Sequence, residues 1–363
     1  MESNSNLEDG SHRVRLGEEL PSEQLFEYLS AHLNGITAPL VIEQFPAGFS
    51  NLTYLLRFGD RELVLRRPPI GAKIKTAHDM SREYRILSHL YPVYNKVPRP
   101  LLFCEDETIL GAPFYVMERV RGIILRVQPP RGLELSAGVM RGLSQTFVEN
   151  LVEIHEVDYE AAGLADLGAP HGYVNRQVAG WIRRYRNAQT DDLATIEQLA
   201  SWLQENLPAD SPRAALIHND YKYDNLVLAP EDLRRVVAVL DWEMATIGDP
   251  LMDLGTSLGY WVEETDPEEW QRYGFGLTSL PGSFTRTELV DHYSRLTGRR
   301  IDDPVFYFAY GLLKIAVIVQ QIYFRYQKGL TRDPRFAHLG ELVKACGNMA
   351  QRAIHSKRID GLG

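Results

Sequence analysis

The stretch "RVRG", residues 119–122, separates two kinds of sequence, and that asymmetry limits the folds open to the chain. Ahead of it lie short runs rich in β-branched and aromatic residues: "VIEQF" (41–45), "LTYLLRF" (52–58), "ELVLRR" (62–67), "PLLFCE" and "PFYVMERV". The turn-forming "PAGFSN" and "GD" join the first three, as in a meander of hairpins. Behind it, apolar residues recur at helical spacing over about 139–157, 175–188, 192–206, 285–297, 304–328 and 335–355. Alternating strands and helices would build a parallel sheet, whereas strands followed by helices build segregated α+β layers. The expectation is therefore an α+β protein of two lobes. A small antiparallel sheet of about five strands carries one main helix, from about Thr76 to Leu90, after a first helix over 22–34. A large, mostly helical lobe follows. In it only "NLVLA" and "VVAVLD", joined by "PEDLRR", read as β structure. The 363 residues suit a flexible tail over 1–20, a first lobe over 21–118 and a second over 119–363.

A formal net charge of −9 without a clustered basic face excludes a general nucleic-acid partner. Cys104 and Cys346 lie far apart and outside any CxxC pair, so they read as packing residues of a cytoplasmic protein. Ten scattered histidines give no zinc spacing. "MESNSNLEDGSHR" lacks the apolar run of a secretory leader. The run "VFYFAYGLLKIAVIVQQIYF" (305–324) has the length of a membrane span. Lys314 near its centre would cost about 2.5–3.5 kcal/mol in lipid. It reads as a buried core helix, and no membrane partner is expected.

"LIHNDYKYDNLVL" (216–228) crowds two aspartates, two asparagines, a lysine and a histidine between two apolar runs. A polar loop closed by Asx-turns would use some of these residues. Phosphoryl transfer would use more of them. It needs a carboxylate near the acceptor hydroxyl, oxygen ligands for Mg²⁺ and positive charge around the phosphates. Asp220 can face the hydroxyl, and Lys222 can reach the transferred phosphate. Asn225 starts one strand of the hairpin and Asp241 ends the other, so pairing closes their 16-residue separation and makes both candidate magnesium ligands.

The first lobe offers a matching half. In "LVLRR" the side chains alternate, which puts Val64, a cover for a nucleotide base, on the same face as Arg66. On the next helix Glu83 shares the apolar stripe of Met80 and Leu87, so it points inward as an ion-pair partner for Arg66. "PAGFSN" supplies Gly48, Ser50 and Asn51, whose backbone could lie over phosphates. The strand leaving the lobe carries Met117, Glu118 and Val120, with backbone from Glu118 to Val120 open to an adenine edge.

Together "HNDYKYDN" and "VLDWEMATIGDPLMDLG" resemble the aminoglycoside phosphotransferase-like branch of the protein-kinase-like fold. More narrowly, "LVLRRPP", "AHDMSREYRIL", "VPRPLLFCED", "GAPFYVMERVRG" and "LDWEMATIGDP" are similar to the phosphotransferase domains associated with acyl-CoA dehydrogenases. The likeness runs over roughly 40–330, with its motifs in order. It implies a bilobal kinase-like fold, ATP and Mg²⁺, Asp220 as catalytic base, and Asn225 and Asp241 as metal ligands with Glu243 as a helper. It also implies Arg66 as the nucleotide-phosphate cation, Glu83 as its partner, and a structural role for Asp249 and Asp253. Two positions depart from the pattern: Arg66 stands where many kinases have lysine, and Asn219 where glycine is usual.

The resemblance further implies a hydroxyl-bearing CoA thioester of the 4-hydroxyacyl type as acceptor, and a functional link to an acyl-CoA dehydrogenase. Arg176, Arg183, Arg184 and Arg186 in "NRQVAGWIRRYRN" could meet an anionic CoA or form a solvated face. The five carboxylates of "WVEETDPEEW" (261–270) keep an aminoglycoside or choline-like small-alcohol acceptor open. A catalytically silent nucleotide-binding scaffold is the reading from another class. Loss of Asp220, Asn225 or Asp241 would mark it, and all three are present.

Overall fold

The computed structural model describes residues 10–45, 51–69, 79–331 and 333–363. They divide into two compact units. One is drawn from the chain up to Ile124 together with Ala162–Leu164 and Leu226–Met244; the other holds Leu125–Ala161, Ala165–Asn225 and Ala245–Gly363. The hairpin embedded in the helical part of the sequence thus belongs to the first unit.

In that first unit, helix α1 (Ser22–His32) precedes strands β1 (Leu40–Gln44), β2 (Leu52–Phe58) and β3 (Arg61–Arg67). Helix α2 (Met80–Leu90), β4 (Pro100–Cys104) and β5 (Phe114–Glu118) follow. All neighbours in the sheet are antiparallel, in the order β1-β2-β3-β5-β4. The β2–β3 turn is "GD", whose Gly59 takes φ +61°, a backbone region that glycine enters at little steric cost. Strand alternation sorts the two faces. Tyr54, Leu56, Leu63, Leu65, Phe114 and Val116 form one core with Leu25 and Leu29 of α1. Val64 and Arg66 therefore point to the other face, as their spacing predicts. The cap expected at Thr76 lies outside the described residues; the observed N-cap is Asp79, whose side chain accepts from the Arg82 N–H.

The second unit is built on helices Ala137–His155, Tyr173–Ala188, Ala194–Glu205, Arg286–Thr297, Pro304–Gln327 and Leu339–Ser356. Two elements were not expected. A short ladder pairs Ala215–Ile217 with Thr246–Gly248, each three residues long and below the reach of a periodicity signal. A helix also spans Pro250–Tyr260, outside the helical segments that the spacing predicts. Helix Pro304–Gln327 is long and apolar enough to cross a membrane, yet 83% of its most apolar window is buried inside the fold. Its packing against Pro250–Tyr260 is unusually close. A Cβ added at Gly255 would strike the Tyr307 carbonyl, and one at Gly311 the Gly255 carbonyl.

Candidate active site

In the second unit, the residues after strand Ala215–Ile217 form a loop held from several sides. Asp253, fully buried on helix Pro250–Tyr260, accepts from the backbone N–H groups of His218 and Asn219, both at 2.7 Å. The His155 ring lies 3.2 Å from the same carboxylate. Burial would raise the Asp253 pKa, but the His155 and backbone hydrogen bonds outweigh it and leave the carboxyl below its ordinary value. One turn on, the Ser257 hydroxyl donates to the Tyr221 carbonyl at 2.8 Å. Asp249 caps the same helix by accepting from the Leu251 N–H. Both aspartates thus serve backbone, in line with the structural role implied for them.

This clamp presents three sequence-selected side chains together. The Lys222 ammonium bonds both Asp220 carboxylate oxygens, at 3.0 and 2.8 Å. Asn225 donates its amide to the Asp220 carbonyl at 2.8 Å and to Oδ2 at 3.1 Å. That use of the nitrogen leaves Asn225 Oδ1 as the amide atom for a cation. The Asp220 side chain stays 16% exposed, so a small molecule can reach it. Burial pushes its pKa up, but Lys222, His218 and Lys314 together hold it below the usual carboxylate value. Lys222 is raised: burial opposes its charge and Asp220 more than restores it. The Tyr260 ring lies 4.7 Å from the ammonium.

The first unit gathers a second group on the Arg66 face of the sheet. Arg66 pairs with buried Glu83 of α2 and reaches Asp241 at 3.1 Å and Glu243 at 3.8 Å. Burial works against its charge, but Glu83, Asp241 and Glu243 hold the guanidinium pKa well above its ordinary value. Glu83 itself is raised by burial despite Arg66. Asn51 donates to Glu243 at 2.7 Å, and Arg82 donates to the Glu243 carbonyl at 3.0 Å. Asp241 follows the hairpin strand Asp232–Val239 by two residues and adopts φ +67°, a strained conformation for a residue with a side chain. Val64 sits opposite Met117 in the β3–β5 ladder, and both are buried.

Some expectations change. Gly48 and Ser50 lie outside the described residues. The Glu118 N–H is not open to a ligand, because it donates to the Arg99 carbonyl at 2.9 Å. Val120 lies in the chain just beyond β5. Lys222, expected to reach the transferred phosphate, bonds the Asp220 carboxylate in the structure. Of the arginine group, Arg176 is bound to the His171 and Ala169 carbonyls and Arg186 to Glu197, while Arg184 stacks 4.6 Å from the Trp181 ring. The acidic stretch is partly spent as well. Glu263 and Asp266 are buried against Arg286, which packs over the Phe308 ring. The residue that sequence reasoning missed is Lys314. Its ammonium donates to the Asn219 carbonyl and lies 3.2 Å from Asn219 Oδ1 and 3.4 Å from Thr256 Oγ1. Its apolar helix gave the only signal: a lysine at the centre of a buried run needs a partner.

The family model described as "Phosphotransferase enzyme family" matches residues 41–289. Among curated proteins, human acyl-CoA dehydrogenase family member 11 is 36% identical over 315 residues, which cover 85% of this chain and 40% of that protein. Mouse acyl-CoA dehydrogenase family member 10 is 36% identical over 342 residues, 93% of this chain and 31% of that protein. The chain thus spans less than half the length of these relatives. Among solved structures, a candidate aminoglycoside phosphotransferase from Ralstonia eutropha superposes with a TM-score of 0.78 at 29% identity, covering 93% of this chain and 99% of that one. A phosphotransferase crystallised with GDP and kanamycin gives a TM-score of 0.63 at 15% identity, covering 89% and 98%. At that identity the likeness speaks for the fold.

Proposed function

The chain belongs to the phosphotransferase enzyme family, and on that premise we propose that it transfers the γ-phosphoryl group of ATP, with Mg²⁺, to the hydroxyl of a 4-hydroxyacyl-CoA. The observation that carries the reading is Asp220: a reachable carboxylate, kept ionised by Lys222 and fixed on a loop bonded through its backbone. An ionised carboxylate so placed accepts the hydrogen bond of an acceptor hydroxyl, aims a lone pair of its oxygen at phosphorus, and receives the proton as the new P–O bond forms. Arg66, backed by Glu83, is the cation for the phosphate tail of the nucleotide. Val64 and Met117 supply apolar cover for its base.

Each unit offers its own oxygen donors for a metal: Asn225 Oδ1 in the second, and in the first the carboxylates of Asp241 and Glu243, whose side chains are 32% and 18% exposed. These are hard oxygen ligands, as Mg²⁺ prefers. Among the described residues no three His, Cys, Asp or Glu side chains gather as a ready-made metal site. That fits an ion held by few protein ligands and completed by phosphate oxygens and water. When bound, magnesium neutralises charge on the phosphates.

Support for the acyl-CoA acceptor comes from the relatives, which carry the name acyl-CoA dehydrogenase, and from the burial of Glu263 and Asp266, which removes two of the carboxylates an amino sugar would use. A functional link to an acyl-CoA dehydrogenase follows from the same acceptor. The proposed compartment is the cytoplasm; both cysteines are buried and free, which suits a reducing environment. The test is ADP release from Mg-ATP with 4-hydroxyacyl-CoAs, free hydroxy acids, choline and aminoglycosides offered in turn. Release dependent on a hydroxyacyl-CoA is expected. Release with an amino sugar alone would overturn the acceptor, and ATP binding without turnover on any acceptor would favour a scaffold.

A further inference from the structure

We infer that Lys314 is a positioning residue for phosphoryl transfer: from the centre of a core helix, its side chain fixes the peptide that joins Asn219 to Asp220 and so sets where the Asp220 carboxylate points. The inference rests on the reading of Asp220 given above.

Helix Pro304–Gln327 is apolar around Lys314, and the lysine is 1% exposed. A buried ammonium is costly, and a purely structural site would be filled more favourably by methionine or leucine. What lets the lysine reach the loop is the close helix crossing at Gly255 and Gly311. Thr256 follows the first glycine and Lys314 lies one turn beyond the second, so the ammonium emerges beside Asn219. Asn219 has φ +67°, in the left-handed region where a side chain is strained. Its N–H is taken by Asp253, and its carbonyl and side-chain oxygen both accept from Lys314. The next N–H, that of Asp220, donates to His218 Nδ1 at 3.2 Å. Both ends of the 219–220 peptide are therefore held. That peptide's orientation fixes the Cα–Cβ direction of Asp220.

The groups facing Lys314 come from each element packed around it. They are Asp220 and Lys222 on the loop, Asp253 on Pro250–Tyr260, and Trp181 and Arg184 on Tyr173–Ala188. Burial pushes the Lys314 pKa down to about 8, Asp253 and Asp220 partly restore it, and Lys222 and Arg184 lower it further. Lys222 and Tyr260 are both raised, so neither loses a proton in that range. Raising the pH through 8 then converts a charge-assisted donor into a weaker neutral one. Stability moves the opposite way. Between a folded pKa of about 8 and an unfolded value near 10.5 the unfolded chain binds more protons, so folding gains as pH rises.

The experiment uses the full chain and steady-state ADP release from Mg-ATP, with the acceptor identified by the panel above and water otherwise, from pH 6.5 to 9.5. The wild type is expected to lose kcat above about pH 8. Lys314→Met should lower kcat about 10²-fold, the scale of an ångström-size misplacement. It should leave the KM for ATP within about threefold, lose the alkaline fall, and melt no lower than wild type at pH 7. Lys314→Gln, which keeps a donor but cannot titrate, should retain more kcat and also lose the alkaline fall. Asn219→Gly in the Lys314→Met background should recover part of kcat, because glycine holds φ +67° without help. A Lys314→Met or Lys314→Gln enzyme with wild-type kcat and an unchanged alkaline limb would overturn the inference. Asp220→Ala serves as the control: wild-type turnover there would overturn the reading of Asp220, and this inference with it.

Discussion

Asn219 and Asp241 share an uncommon backbone conformation, φ +67° at a residue with a side chain, and the protein holds the two by opposite means. Asn219 is buried and tied through its N–H, its carbonyl and its side chain to Asp253 and Lys314. Asp241 is 32% exposed on its side chain and held chiefly by one exchangeable ion pair to Arg66. The difference matches two tasks. A group that orients an acceptor hydroxyl gains from rigidity set before substrate arrives. A carboxylate that takes a metal must be able to release its resting partner, and Asp241, a third exposed, is open to a competing cation while Arg66 keeps Glu83.

The comparison makes unequal demands on mutants. Asp253→Ala strips two buried N–H groups of their acceptor, and each unsatisfied donor costs about 1–3 kcal/mol. Urea denaturation should register a loss of about 3 kcal/mol or more; a loss below about 1 kcal/mol would show that the Asn219 region is not clamped as described. Asp241→Asn should barely change stability, since asparagine tolerates the left-handed region and the lost pair is partly solvated. Its expected cost is in magnesium: the concentration for half-maximal turnover should rise about 10–100-fold. A large stability loss with unchanged magnesium demand would reverse the roles of the two regions. Glu243→Gln is the smallest test, since Asn51 and a more distant Arg66 contact already occupy the carboxylate. Less than a tenfold rise in magnesium demand is expected there.

Much of this was legible because strand alternation is a strict rule. The period of two in "LVLRR" put Arg66 opposite the α1 core, and the helical spacing of Glu83 pointed it inward. Both follow from local geometry alone. The crowding of Asp220, Lys222 and Asn225 was equally local, because all three lie within six residues. What stayed hidden was tertiary. Lys314 touches a residue 95 positions away, and its helix's pattern could only say that a charge was buried, not where it reached. Glu263 and Asp266 counted among the carboxylates open to a cationic acceptor because acids are normally solvated; Arg286, 20 positions after Asp266, buries them. The Pro250–Tyr260 helix could have been found. An aspartate N-cap followed by proline at N1 is a start signal, and "GDP" carries it.

The central claim is that Asp220 orients the acceptor, and the direct measurement is acceptor phosphorylation by Asp220→Asn compared with wild type, alongside Mg-ATP affinity measured by calorimetry. Asparagine keeps the shape and gives up the charge that holds Lys222 and receives the proton. A drop in kcat of about 10²–10⁴-fold with ATP affinity unchanged is predicted. Turnover at the wild-type rate would contradict the account.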